Sequence, residues 1–145
     1  MNRTITLEEI FPLIQEQLET GGSASFISHG TSMKPLLKNG ENKITLIKPT
    51  KDPKKYDIIF YRRDDGRFIL HRIVDIKDGC YVCRGDNQFQ DEFPVTKDSI
   101  IAVLIEYTKN GKTKKIDSFS QKLYARFWVN TMTMRRFIYN LIKRM

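Results

Sequence analysis

Long apolar runs are missing from this 145-residue chain. No stretch approaches the roughly 20 apolar residues that a membrane-spanning helix needs. The first apolar segment carries Glu8 and Glu9, so it does not have the pattern of a secretory leader. A cytoplasmic protein, or one seated peripherally on a membrane, is the expectation. Cysteine is scarce: Cys80 and Cys83, in Cys-Tyr-Val-Cys, are the only two. Zinc would need two further ligands, and His29 and His71 lie in no ligand motif. The pair is therefore read as two reduced thiols in a strand, with no metal and no organic cofactor implied. Acidic residues are also in deficit, 17 against 25 Lys and Arg, for a net charge of +8. That excess favours anionic partners (acidic peptide, acidic lipid or nucleic acid) and does not choose a fold. Internal repeats and low-complexity tracts are absent.

The length suits one domain, 1–145, in three segments. Within 1–22, residues 6–20 have the pattern of an amphipathic helix. Thr6 and Glu9 have capping-box spacing, and Leu7, Ile10, Ile14 and Leu18 recur at helical intervals. Gly21-Gly22 supplies the stop, and Pro12 predicts a kink or a later start. Segment 23–117 is the β core. The pairs Asn39-Gly40, Asp65-Gly66, Asp78-Gly79 and Asn110-Gly111 mark tight turns. Runs rich in strand formers cover 43–48, 57–62, 67–76, 79–84 and 99–107. Five or more short strands at this spacing predict a mainly β (α+β) domain, built on a small twisted, partly closed antiparallel sheet. Segment 118–145 predicts a basic amphipathic helix with no acidic residue after Asp117. It could lie on an anionic membrane or pack on the sheet with a solvated basic face.

Three stretches carry residues with chemistry. His29-Gly30-Thr31-Ser32-Met33-Lys34-Pro35 has the composition of an ordinary turn. It would also suit an exposed nucleophile with free backbone N–H groups around it. In Phe68-Ile69-Leu70-His71-Arg72-Ile73-Val74, strand alternation puts His71 on the face of Ile69 and Ile73, opposite Leu70 and Arg72. Such a histidine is commonly structural, yet it can serve as a base near neutral pH. Arg84-Gly85-Asp86-Asn87-Gln88-Phe89-Gln90-Asp91, followed by Phe93-Pro94-Val95, is a polar loop after a strand. Its carboxylates either make turn hydrogen bonds or orient a histidine.

Taken in order, Gly-x-Ser-Met-x-Pro, Tyr56-Asp57-Ile58-Ile59, His71-Arg72 and Gly85-Asp86-Asn87 resemble the boxes of the type I signal peptidases. The LexA-like self-cleaving proteins share the Gly-x-Ser-Met part. The resemblance spans about two-thirds of the chain, residues 30–95, and implies a LexA and signal peptidase type of fold. Where most bacterial relatives carry a Lys base, this chain has His71. In that respect it is similar to the endoplasmic-reticulum, archaeal and sporulation-type branch, which works with Ser, His and Asp. The resemblance implies Ser32 as nucleophile and His71 as base, with Asp86 or Asp91 as the supporting acid and Glu92 as an outside candidate. It implies the Ser32 N–H as an oxyanion donor in a turn shared with Thr31, and Met33 and Pro35 beside the substrate. It also implies a peptide or precursor-protein substrate. Family members carry a membrane anchor before the Ser box, a place held here by the charged segment 6–20.

Two other readings compete. A LexA-like self-cleaving protein would need a DNA-binding unit and a cleavable linker, and neither is visible in 1–22. A non-catalytic basic β module could bind nucleic acid or an anionic membrane. Cations dispersed through the strands speak against nucleic acid. The sequence leaves oligomeric state undetermined.

Overall fold

Thr6 caps the first helix of the chain, whose residues 6–145 are described by a computed structural model. Its hydroxyl accepts a hydrogen bond from the Glu9 N–H at 3.3 Å, as the Thr6/Glu9 spacing predicts. The helix, α1, runs Leu7–Glu19 and contains Pro12, so the later start does not occur. The proline sits one turn in, where its missing N–H removes a single helical hydrogen bond. At the far end Gly21 adopts φ +80°. The N–H groups of Gly21 and Gly22 donate to the carbonyls of Leu18 and Gln17 at 3.2 and 3.0 Å, the glycine stop expected there. Residues 1–5 of the expected N-terminal segment lie outside the described residues.

The strands are β1 (Ser23–Ile27), β2 (Lys43–Ile47), β3 (Ile58–Arg62), β4 (Phe68–Lys77), β5 (Cys80–Arg84), β6 (Glu92–Val95), β7 (Ile100–Lys109) and β8 (Lys112–Lys115). They form one antiparallel sheet in the order β1-β2-β7-β3-β4-β5-β6, with β8 beside β7. The fold is thus mainly β, in the α+β class. The sheet is not closed, where partial closure was expected: β1 and β6 end its path. β6 is only four residues long and contains Pro94, which has no N–H to extend a ladder.

Asp78-Gly79 and Asn110-Gly111 make two-residue hairpin turns, with φ between 52° and 75° at all four residues. Asp65-Gly66 lies in a wider loop closed by the Arg63 N–H to Arg67 carbonyl bond at 2.9 Å. Asn39-Gly40 makes no hairpin. It belongs to the 28–42 connection between β1 and β2, where Asn39 Oδ1 accepts from the Gly30 N–H at 2.7 Å.

Both faces of the sheet are covered at its centre, and Ile58, Ile59, Phe60 and Tyr61 of β3 are all buried. Ile58 and Phe60 join the core under α1 with Ile14, Leu18, Leu46 and Leu104. Ile59 and Tyr61 face a second cluster with Ile73, Tyr81, Cys83 and Val95. Cys80 and Cys83 are free thiols on β5.

The single C-terminal helix expected for 118–145 is instead two, α2 (Phe119–Asn130) and α3 (Met132–Lys143). Thr131 makes the break. Its N–H and hydroxyl both donate to the Phe127 carbonyl, at 3.1 and 2.6 Å, and its own carbonyl starts α3 by accepting from the Arg135 N–H. α2 packs on the α1 face of the sheet through Tyr124 and Ala125. No helix among the described residues is long and apolar enough to cross a membrane.

Candidate active site

Ser32 sits in the 28–42 connection, which is tight because its apolar residues are anchored. Met33, Leu36 and Leu37 are buried in the core under α1, and the Leu37 N–H donates to the Met33 carbonyl at 2.9 Å. The turn after β5 then grips the Ser32 segment. The Asn87 N–H donates to the Ser32 carbonyl at 2.8 Å, and Asn87 Nδ2 donates to the Thr31 carbonyl at 3.1 Å. The Asp86 N–H reaches Met33 Sδ at 3.5 Å. Gly85 permits this closeness, since a Cβ there would stand 2.5 Å from the Ser32 carbonyl oxygen.

His71 approaches the same glycine from β4. His71 precedes Arg72 on β4, and Arg72 pairs with Arg84, the residue before Gly85. The Ser32 backbone thus packs on the turn after β5 and His71 lies next to the last β4–β5 pair, but Ser32 is not among the residues that line the His71 cleft. No hydrogen bond joins their side chains among the described residues. His71 is 4% exposed, and its Nδ1 is sealed from solvent without a partner. The ring lines a cleft of about 540 Å³ with Arg63, Gln88, Glu92, Arg136 and Asn140. That volume is in the range of small-ligand and peptide side-chain sites.

Burial, and after it the charge of Arg63, lowers the His71 pKa to about 4, against upward pulls from Glu92 and Asp86. The ring is uncharged at neutral pH. Glu92 accepts from Tyr61 Oη and from Arg63 Nε and Nη2. Burial alone would raise the Glu92 pKa, but the bonds from Arg63 and Tyr61 outweigh it and hold the carboxylate below its usual range. Tyr61 also meets the His71 ring edge-on, with centroids 6.4 Å apart. Beside them, burial pushes the Cys83 thiol up to about 12, so it is protonated and inert.

The two aspartates expected near His71 each bond to an arginine, and of the two only Asp91 lines the His71 cleft. Asp86 clamps Arg72 with both oxygens at 2.9 Å, on side chains no more than 3% exposed. Its Oδ2 also accepts from Tyr124 Oη at 3.0 Å, and its carbonyl accepts from Trp128 Nε1. Asp91 pairs with Arg84 at 2.8 Å. Arg72 lies on the opposite face of β4 from His71, so the Asp86 carboxylate, bonded to Arg72, makes no hydrogen bond to the imidazole among the described residues. Met33, expected beside the substrate, is 4% exposed and belongs to the core. Thr31 and Pro35 are exposed beside Ser32.

Sequence reasoning named Glu92 only as an outside candidate and missed Tyr61, Arg63, Gln88, Arg136 and Asn140. Tyr61 had a usable signal: strand alternation places it on the face of Ile59, and Ile59 pairs with His71. Arg136 and Asn140 had none, because they arrive from α3. Comparison with family models, with curated proteins and with solved structures finds no match to the chain.

Proposed function

We propose that this chain is a serine endopeptidase of the signal peptidase and LexA type, with Ser32 as nucleophile and His71 as general base. What supports the reading is that the Ser32 backbone packs on Gly85, one residue past the Arg84 that pairs with Arg72, while His71, next to Arg72, is uncharged, has an unpartnered nitrogen and lines an open cleft. An extended peptide binds along the cleft. His71 takes the Ser32 hydroxyl proton as the oxygen attacks the scissile carbonyl. Backbone N–H groups of the Ser32 turn stabilise the oxyanion. His71 then gives its proton to the leaving amine; water, deprotonated by the same ring, attacks the acyl group, and the ring returns that proton to the departing Ser32 Oγ. Each step changes the ring by one proton. The adjacent Glu92 carboxylate stabilises the imidazolium that forms transiently, and Arg63 and Tyr61 position that carboxylate.

The test is digestion of a diverse peptide library, with cleavage points read by mass spectrometry and small Ala-like residues expected before the cut. Ser32→Ala and His71→Ala should each lower kcat/KM by roughly three orders of magnitude or more, with Ser32→Ala keeping the parent's unfolding midpoint. A Ser32→Ala protein that cleaves as fast as the parent, or a parent that cleaves nothing in the library, overturns the reading.

A further inference from the structure

The apolar side of α3 points away from the protein. Helical spacing lines up Met134, Phe137, Ile138, Leu141 and Ile142, and each is between 45% and 67% exposed. The other side meets the domain with polar and aromatic groups. Arg136 and Asn140 line the His71 cleft, Arg135 lies 3.8 Å over the Trp128 ring, and Tyr139 meets Phe89. No residue of α3 is buried. α2 repeats the arrangement. Gln121, Tyr124 and Trp128 bond to the sheet side, while Phe119, Leu123 and Phe127 stand outward, 53% to 77% exposed. A helix folding only against its own domain turns its apolar stripe inward. Here two consecutive helices hold theirs outward, so the stripe is matched to a surface outside the chain.

Charge selects that surface. Residues 118–145 carry six cations and no acidic residue; Arg126, Arg135 and Arg136 are engaged by Tyr56, Trp128 and the cleft, which leaves Lys122, Lys143 and Arg144, all exposed, for an outside surface. Cations beside an apolar stripe complement an anionic bilayer, where acyl chains receive the stripe and headgroups receive the cations. A second copy of the chain would bring like charges together around the same stripe. We propose that α2 and α3 seat the protein on an anionic membrane surface, with α3 lying in the headgroup plane. The inference stands apart from the peptidase reading. Where both hold, the His71 cleft, walled by the inner side of α3, opens close to the bilayer.

The experiment is flotation of the full chain with vesicles of phosphatidylcholine, with or without about one-third phosphatidylglycerol. The parent should float with the anionic vesicles, less so as salt rises, and little with phosphatidylcholine alone. The Phe137→Asp/Leu141→Asp double variant should lose about tenfold in binding and keep the parent's unfolding midpoint, because both side chains are exposed. Lys143→Glu/Arg144→Glu changes charge alone and should weaken binding to the anionic vesicles only. No flotation of the parent with anionic vesicles, or equal flotation of the Phe137/Leu141 double variant, overturns the proposal. A dimer in sedimentation velocity that this double variant abolishes assigns the stripe to a second copy and overturns it as well.

Discussion

At the scale of single residues, position on a strand decides what a charged group can reach. His71 and Arg72 are neighbours in sequence, yet the pleat sends them to opposite faces. Asp86 follows Arg72, and the pair is sealed under α2 with side-chain exposures of 3% and 2%. Its task is to tie β4, the β5 turn and α2 together. Asp86→Ala would leave the Arg72 guanidinium buried and unpaired, a loss of about 3–5 kcal/mol in stability. Urea unfolding should show that loss as a lower midpoint. An Asp86→Asn protein with the parent's stability but no peptide cleavage would instead assign the carboxylate to His71. The Ser box, His71-Arg72 and the Gly85-Asp86-Asn87 turn were all visible in the sequence. The partner of each was not, because partners depend on which face every strand presents.

At the scale of elements, local signals read well where the element is self-sufficient. Thr6, Glu9 and Gly21-Gly22 set the limits of α1, and the Asp78-Gly79 and Asn110-Gly111 turns form as their residues require. The same kind of signal misled at Asn39-Gly40, where the loop's tertiary anchors took precedence over hairpin chemistry. It misled again at 118–145, where apolar periodicity continues across Thr131 but the helix does not. α2 has a buried residue, Ala125, and four side chains bonded to the rest of the protein, whereas α3 has no buried residue. Local opening costs least where little is buried. Amide hydrogen exchange in the free protein should therefore be orders of magnitude faster over 135–143 than over 123–130. Equal protection in the two stretches would mean that the stripe of α3 is already covered.

At the scale of the whole molecule, His71 links the cleft to stability. Its folded pKa lies near 4, below the ordinary value of 6.5. Between those limits the unfolded chain binds the proton and the folded chain does not, so stability falls as pH drops from 6.5 toward 4. Above 6.5 the contribution is constant. The full loss is about 3 kcal/mol. Urea unfolding of the parent should show this slope, and His71→Gln should remove it. An unchanged slope in the variant would mean that His71 titrates normally. Imidazole resonances are suited to the same question, because the chain has only two histidines.

Periodicity, turn pairs and caps belong to short stretches of chain, and short-range physics is written in them. For that reason the sequence by itself determined the β-rich core between helical ends, the first helix and its caps, the two tight hairpins, the basic tail, and the candidates Ser32 and His71. Strand order, the open edge at β6, the pairing of Asp86 with Arg72, the presence of Glu92 beside His71, and the outward stripe of α3 were decided only by the tertiary structure. Each depends on which face of a shared sheet a residue occupies, and that is settled when all the strands have found their neighbours.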